Sequence, residues 1–167
     1  MVSIVIGGFG EGKTTMLKTN YLKKTKNKKR IYCLVKNDFA DLGLQAERSF
    51  KVFVRDAVKQ TNTMFVVDEA RSALKHKEPD AEKEHDRLLI TWLLNARKYN
   101  NMVFIVFHSF HEIPVWLLMY SHYILRFNTQ DQLNYQRTRF SSYPNIVKSI
   151  DDFPTIQKYE YDEIKIR

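Results

Sequence analysis

Eight residues near the start of the chain, Gly7-Gly8-Phe9-Gly10-Glu11-Gly12-Lys13-Thr14, place two glycines four residues apart and follow them with a lysine and a hydroxyl residue. Glycines at those positions let the backbone curl, so that successive N–H groups converge on a β-phosphate. A helix expected to begin near Lys13 adds the positive end of its dipole. In such a loop Lys13 reaches the β- and γ-phosphates and Thr14 ligates Mg²⁺, with Thr15 following in the same binding segment. The bland alternative is a Gly-rich strand-to-helix turn with no ligand. Lys-Thr at this offset, after a strand beginning at Val2, argues for the phosphate loop and for ATP with Mg²⁺ as its occupant.

Hydrolysis needs carboxylates at the end of a neighbouring strand, and Met64-Phe65-Val66-Val67 runs directly into Asp68-Glu69. The segment reads as a Walker B strand. Asp68 would hold Mg²⁺ through water together with Thr14, and Glu69 would polarise the attacking water. A second buried run, Val103 to Phe107, ends in His108-Ser109 and sets a polar side chain where the carboxyl edge of a sheet meets a nucleotide. His108 is thereby a candidate contact for the γ-phosphate or its water, whereas His111 reads as a loop histidine. Arg97 precedes the same strand and is a candidate for a guanidinium offered in trans to a neighbour's γ-phosphate, in competition with Arg71, Arg87 and Lys98.

The elements that must position these residues follow from the spacing of apolar side chains. Short blocks of β-formers at Val2–Ile6, Ile31–Val35, Val52–Val54, Met64–Val67, Met102–Phe107 and Tyr123–Phe127 suit strands buried on both faces. Thr14–Lys24 and Ala81–Tyr99 carry helical spacing, the second with Leu88, Leu89, Trp92, Leu93 and Ala96 on one face and Asp80 as a possible cap. Strands alternating with helices predict parallel βαβ units and a three-layer α/β domain with a mostly parallel central sheet. The tail from Tyr159 to Ile166 alternates as a strand does, with Tyr161, Glu163 and Lys165 on one face. We read residues 1–167 as a single domain, with 128–167 a C-terminal extension packed on it.

Bulk properties narrow the function classes. A chain of 167 residues with 44% hydrophobic content can bury a core. No apolar run approaches the roughly 20 residues needed to span a bilayer, and the first residues lack the pattern of a secretory leader. Cys33 is the single cysteine, which excludes an internal disulfide, and it is expected to be a buried, inert thiol. Lys and Arg number 27 against 19 Asp and Glu, a net charge of +8 that favours polyanionic partners. Lys23–Arg30 holds six basic residues in eight and reads either as a nucleic-acid contact or as a solvated loop; Lys75–Lys77 is a second candidate.

In this order the motifs resemble the FtsK/HerA group of P-loop ATPases, particularly the small genome-packaging ATPases of membrane-containing icosahedral viruses. The resemblance covers roughly Met1 to Asn128. It rests on the phosphate loop, on Asp68-Glu69-Ala70-Arg71, on Ala96-Arg97-Lys98-Tyr99-Asn100-Asn101 leading into the strand that ends at His108, and on Ile113-Pro114. The family's sensor is usually a glutamine or asparagine, so His108 departs in type; Arg97 falls at the position of the trans finger. The resemblance implies an ATP-driven DNA translocase, a homo-oligomeric ring, commonly a hexamer, that pumps double-stranded DNA into a capsid. It would dock on a capsid or portal-vertex protein and act in the host cytoplasm and at the packaging vertex. A basic surface would then give the sequence-independent grip such a motor needs. Two competing readings are a filamentous-virus assembly ATPase resembling the zonula occludens toxin family, which normally carries a transmembrane segment, and a P-loop nucleotide kinase, for which the adjacent Glu69 is less apt.

Overall fold

β1 (Val2–Ile6) is buried at all five positions, the signature of a strand in the middle of a sheet covered on both faces. A computed structural model places it there and describes residues 1–22, 29–30, 32–33, 46–47, 49–127, 137–151 and 160–166. Around it lie β2 (Lys29–Arg30), β3 (Tyr32–Cys33), β4 (Ala46–Glu47), β5 (Thr63–Val67), β6 (Met102–Phe107), β7 (Tyr123–Arg126) and β8 (Asp162–Lys165). Their order is β4-β3-β5-β6-β1-β7-β8, with β2 also paired to β5. β2 and β3 keep one register, Lys29 opposite Thr63 and Cys33 opposite Val67. Every pairing is parallel except that of β8, which runs antiparallel along β7.

Alternation along β1 builds the layers. Val2, Ile4 and Ile6 join the core formed with α2 (Phe50–Ala57) and α3 (Glu84–Asn95). Val5 faces the other way, with Met16 and Leu17 from α1 (Lys13–Met16) and the π-helical Leu17–Leu22 that continues it. This is the α/β architecture with a mostly parallel sheet expected from the sequence. α4 (Pro144–Asp151) is held by the fully buried Arg126, whose guanidinium donates to the Ser149 carbonyl at 2.9 Å.

Two local expectations are corrected. Val52–Val54 is helical, inside α2, because the apolar residues around it recur as Phe50, Phe53, Val54 and Ala57, a spacing that lines one side of a helix. Phe53 then meets Phe65 and Trp92 edge-on, at 5.7 and 5.4 Å between ring centres. Asp80 does not cap α3, which starts at Glu84 with Lys83 before it. Its carboxylate instead accepts the Glu82 N–H at 3.1 Å and pairs with Lys83 at 3.0 Å, folding a turn ahead of the helix.

In the turns that follow α3, Asn100 takes a left-handed conformation, φ 54°, and the Asn101 N–H returns to the Ala96 carbonyl at 2.7 Å. The buried Asn101 side chain accepts the Thr63 N–H and donates to the Gln60 carbonyl, so this pair of asparagines aligns the starts of β5 and β6. In the tail, Ile164 and Ile166 turn inward while Glu163 and Lys165 stay exposed, the alternation anticipated. The basic run at 23–28 and most of the Ile31–Val35 strand lie outside the described residues, as do the side chains of Lys29, Arg30 and Cys33.

Candidate functional site

β1, β5 and β6 are parallel neighbours across the sheet, so the chain leaves all three at the same edge. β6 lies between the other two: the acidic strand is β1's second neighbour, not its first. The Gly7–Thr14 loop, Asp68-Glu69 and His108 therefore converge, and each is placed by a strand rather than by a wandering loop.

Within the loop, Gly10 and Gly12 adopt φ of 76° and 98°, values that L side chains resist. Gly7 is required for another reason: a Cβ there would lie 2.5 Å from that of Phe127 on the neighbouring strand's exit. Lys13, only 8% exposed, folds back so that its ammonium donates to the carbonyls of Gly7 and Gly8 at 2.6 and 2.8 Å. Burial pushes its proton affinity below the usual lysine range, and the charges of Asp68, Glu11 and Glu112 partly offset that. Thr14 is half-buried and Thr15 exposed at the start of the helix. Phe9, 81% exposed at the loop's tip, lays its ring on that of His108, 4.1 Å between centres and 25° from parallel.

Asp68 accepts the Glu69 N–H on one oxygen at 2.9 Å. Glu69 itself is exposed and left-handed, φ 47° and ψ 42°, a conformation that costs a residue other than glycine about 1–3 kcal/mol. The turn is held by the Ser72 N–H and hydroxyl, both donating to the Glu69 carbonyl. At the end of β6 the His108 N–H donates to Glu112 Oε2 at 2.8 Å, while Oε1 of the same carboxylate lies 3.4 Å from Arg71. Glu112 escaped the sequence reading. The signal for it was a lone acid between Phe110 and Ile113, four residues past His108.

Arg97, with Lys98 beside it, is a candidate that the fold does not bring to this edge. It is exposed in the turn before β6 begins, and the strand's six residues, roughly 20 Å, separate that end of the sheet from the loop. Arg71, by contrast, sits two residues beyond Glu69, and His111 is exposed in the turn beyond His108. A cleft of about 900 Å³ also opens on the α2–α3 side, lined by Arg55, Lys77, His85 and Trp116 among others; no residue of the phosphate loop lines it. The loop's claim as a site rests on its left-handed glycines and the buried Lys13, since an anion cradle of main-chain N–H groups needs no deep cavity.

A hydroxyl and a carboxylate form the hard-oxygen donor set that Mg²⁺ takes alongside phosphate oxygens. Thr14 at the helix start and Asp68, whose charge is felt at Lys13, fit that requirement. Among the described residues no helix is long and apolar enough to cross a membrane.

No family profile matches the sequence, and no curated protein matches it. Solved structures do. The genome packaging NTPase B204 from Sulfolobus turreted icosahedral virus 2, in complex with AMP, superposes with a TM-score of 0.75 over 99% of this chain and 92% of that one, at 12% identity. B204 of Sulfolobus turreted icosahedral virus, a DNA-packaging ATPase, gives 0.70 over 99% and 97%, at 13% identity. EssC (ATPases 2 and 3) from Geobacillus thermodenitrificans gives 0.58 over 98% of this chain and 38% of that one, at 10% identity. At these identities the likeness is one of fold, the α/β architecture with a mostly parallel sheet that this chain shares with those NTPases.

Proposed function

We propose that the chain is an ATPase whose hydrolysis drives DNA translocation, the motor of viral genome packaging. The observation that carries the reading is the convergence of the phosphate loop, Asp68-Glu69 and His108 at one sheet edge, with β6 between β1 and β5. The loop N–H groups and Lys13 take the β- and γ-phosphates of ATP. Lys13 gives up its two carbonyl contacts for phosphate oxygens, which restore the charge that burial disfavours. Thr14 and Asp68 would hold Mg²⁺, which would supply positive charge against the phosphate oxygens. Glu69 orients and deprotonates the attacking water, and His108 meets the γ-phosphate or that water from the neighbouring strand. Arg97 completes the site from the next subunit.

Support beyond the site comes from the neighbours' own descriptions: B204 is a genome packaging NTPase seen with ATP-gammaS and with AMPPCP, and it matches this chain over almost its whole length. The net charge of +8 suits a polyanionic track gripped without regard to sequence. On this reading the assembly is a homo-oligomeric ring, a hexamer, that docks on a capsid or portal-vertex protein and works in the host cytoplasm.

The test is ATP turnover measured with and without long double-stranded DNA, with nucleoside monophosphates as alternative acceptors. Turnover that rises with DNA length and releases inorganic phosphate is the expected result. Phosphoryl transfer to a nucleotide would replace the motor with a kinase, and turnover indifferent to DNA would remove translocation.

A further inference from the structure

Glu112 is a carboxylate that the reaction outlined above does not use, yet it is only 9% exposed and stands at the site. An acid taken that far from water is costly unless its oxygens find donors. Its two donors belong to different strand exits: the main-chain N–H of His108, at 2.8 Å, ends β6, and the guanidinium of Arg71, at 3.4 Å, follows the Asp68-Glu69 turn that ends β5. The turn carrying Glu112 is itself fastened. Arg139 donates to the carbonyls of Phe110 and His111 at 2.8 Å each, and also to that of Ile113.

A glutamine would satisfy the His108 N–H as well as a glutamate does, so the negative charge serves something else. It acts on Arg71, and it is felt at Lys13 in the phosphate loop. Holding the His108 main chain also fixes where its ring can lie, and that ring rests on Phe9 at the loop's tip. One side chain thus links all three parts of the edge.

We propose that Glu112 is a positioning residue for ATP hydrolysis: its carboxylate holds His108 against the phosphate loop and, through Arg71, ties that strand end to the Asp68-Glu69 turn. The proposal rests on the ATPase reading for its catalytic meaning, while the contact with His108 can be measured without turnover.

Three variants separate the roles: Glu112→Ala removes both contacts, Glu112→Gln keeps the acceptor for His108 and loses the charge, and Arg71→Ala removes the tie alone. For each, the hydrogen exchange of the His108 amide, the melting temperature, the affinity for a fluorescent ATP analogue and steady-state turnover are measured. Glu112→Ala should deprotect the His108 amide and lower kcat about 10- to 100-fold, the effect of a misplaced reacting group, with analogue affinity little changed. Glu112→Gln should keep the amide protected and recover part of kcat, and Arg71→Ala should lower kcat with the amide still protected. An unchanged His108 amide or an unchanged kcat in Glu112→Ala overturns the proposal. If Glu112→Ala fails to fold, the glutamine and Arg71 variants decide: full kcat in both removes the charge-mediated tie. A wild-type protein that binds the analogue but turns over no ATP would sink the ATPase reading, and the exchange at His108 would then still say whether Glu112 holds that strand end.

Discussion

Glu69 carries two features that seldom coincide at a residue of no importance, an acidic side chain at the candidate centre and a left-handed backbone. Asp68 turns one oxygen onto the Glu69 N–H while Glu69 is exposed and left-handed, and our reading divides metal binding from water activation between the two adjacent acids. Two substitutions separate these features. Glu69→Gln keeps size and backbone, and should lower ATP turnover by about 10²–10⁴-fold, the usual worth of a general base, while leaving nucleotide binding intact. Glu69→Gly removes the base and also relieves the backbone, so it should be just as inactive yet about 1 kcal/mol more stable in urea denaturation. Full hydrolysis by Glu69→Gln would end its assignment as the base. Lys13 gives a second prediction at this scale. Burial lowers its pKa from 10.5, so at alkaline pH the folded, nucleotide-free protein binds fewer protons at this group than the unfolded chain does. Stability owed to it therefore rises with pH through the window from its lowered pKa to 10.5. Phosphate oxygens bring the proton back. ATP binding in that window should take up protons, seen calorimetrically as a binding enthalpy that depends on the buffer's ionisation enthalpy; no buffer dependence would count against Lys13 meeting the phosphates.

The elements hold this geometry through one aromatic cluster. Phe53 of α2, Phe65 of β5 and Trp92 of α3 meet edge to face at 5.4 to 5.7 Å, so the strand that delivers Asp68 and Glu69 is packed directly by both helices. Trp92→Ala should cost about 3–5 kcal/mol in chemical denaturation, and it should loosen β5 more than the phosphate loop, whose helix packs on the opposite face. Nearly all of this layer was legible in the sequence, because strands buried on both faces read as unbroken apolar runs and α3 displays its stripe. The Val52–Val54 segment was misread because three apolar residues in a row carry no period of their own; the helix shows only when Phe50 and Ala57 are counted with them. Glu112 was illegible for a different cause. Its partners are a main-chain N–H and a guanidinium 41 residues away, and no spacing along the chain announces such a meeting. The left-handed turns of the Gly7–Thr14 loop were legible from eight residues because they are local, written in the backbone conformation that glycine allows. The β5-β6-β1 order was not, since sequence reveals strands without saying which lie side by side.

At the scale of the whole molecule, Arg97 stands in the turn before β6, at the end of the sheet opposite the phosphate loop. Six strand residues, roughly 20 Å, separate it from its own phosphate loop, and our proposed function therefore assigns it to a second copy. On that reading a heterologous contact, repeated head to tail, would set the start of one sheet against the strand ends of the next and, where the rotation closes, make a ring. Exposed apolar residues lie near both ends of such a contact: Leu94, 63% exposed and three residues before Arg97, and Phe9, 81% exposed on the phosphate loop. Our reading of Arg97 as the trans finger predicts that Arg97→Ala lowers kcat about 10³–10⁵-fold with ATP binding retained. Lys13→Ala subunits should be equally inactive, but for want of a phosphate contact, and they still carry their Arg97. In an equal mixture of the two, about a quarter of the interfaces join an intact phosphate loop to an intact finger, so turnover should rise far above either parent and peak at intermediate ratios. A finger acting within its own subunit would give no recovery at any ratio, because every subunit would lack one of the two residues. That outcome would remove Arg97 and pass the same mixing test to Arg71, Arg87 and Lys98, of which Arg71 already lies on the catalytic edge, paired to Glu112.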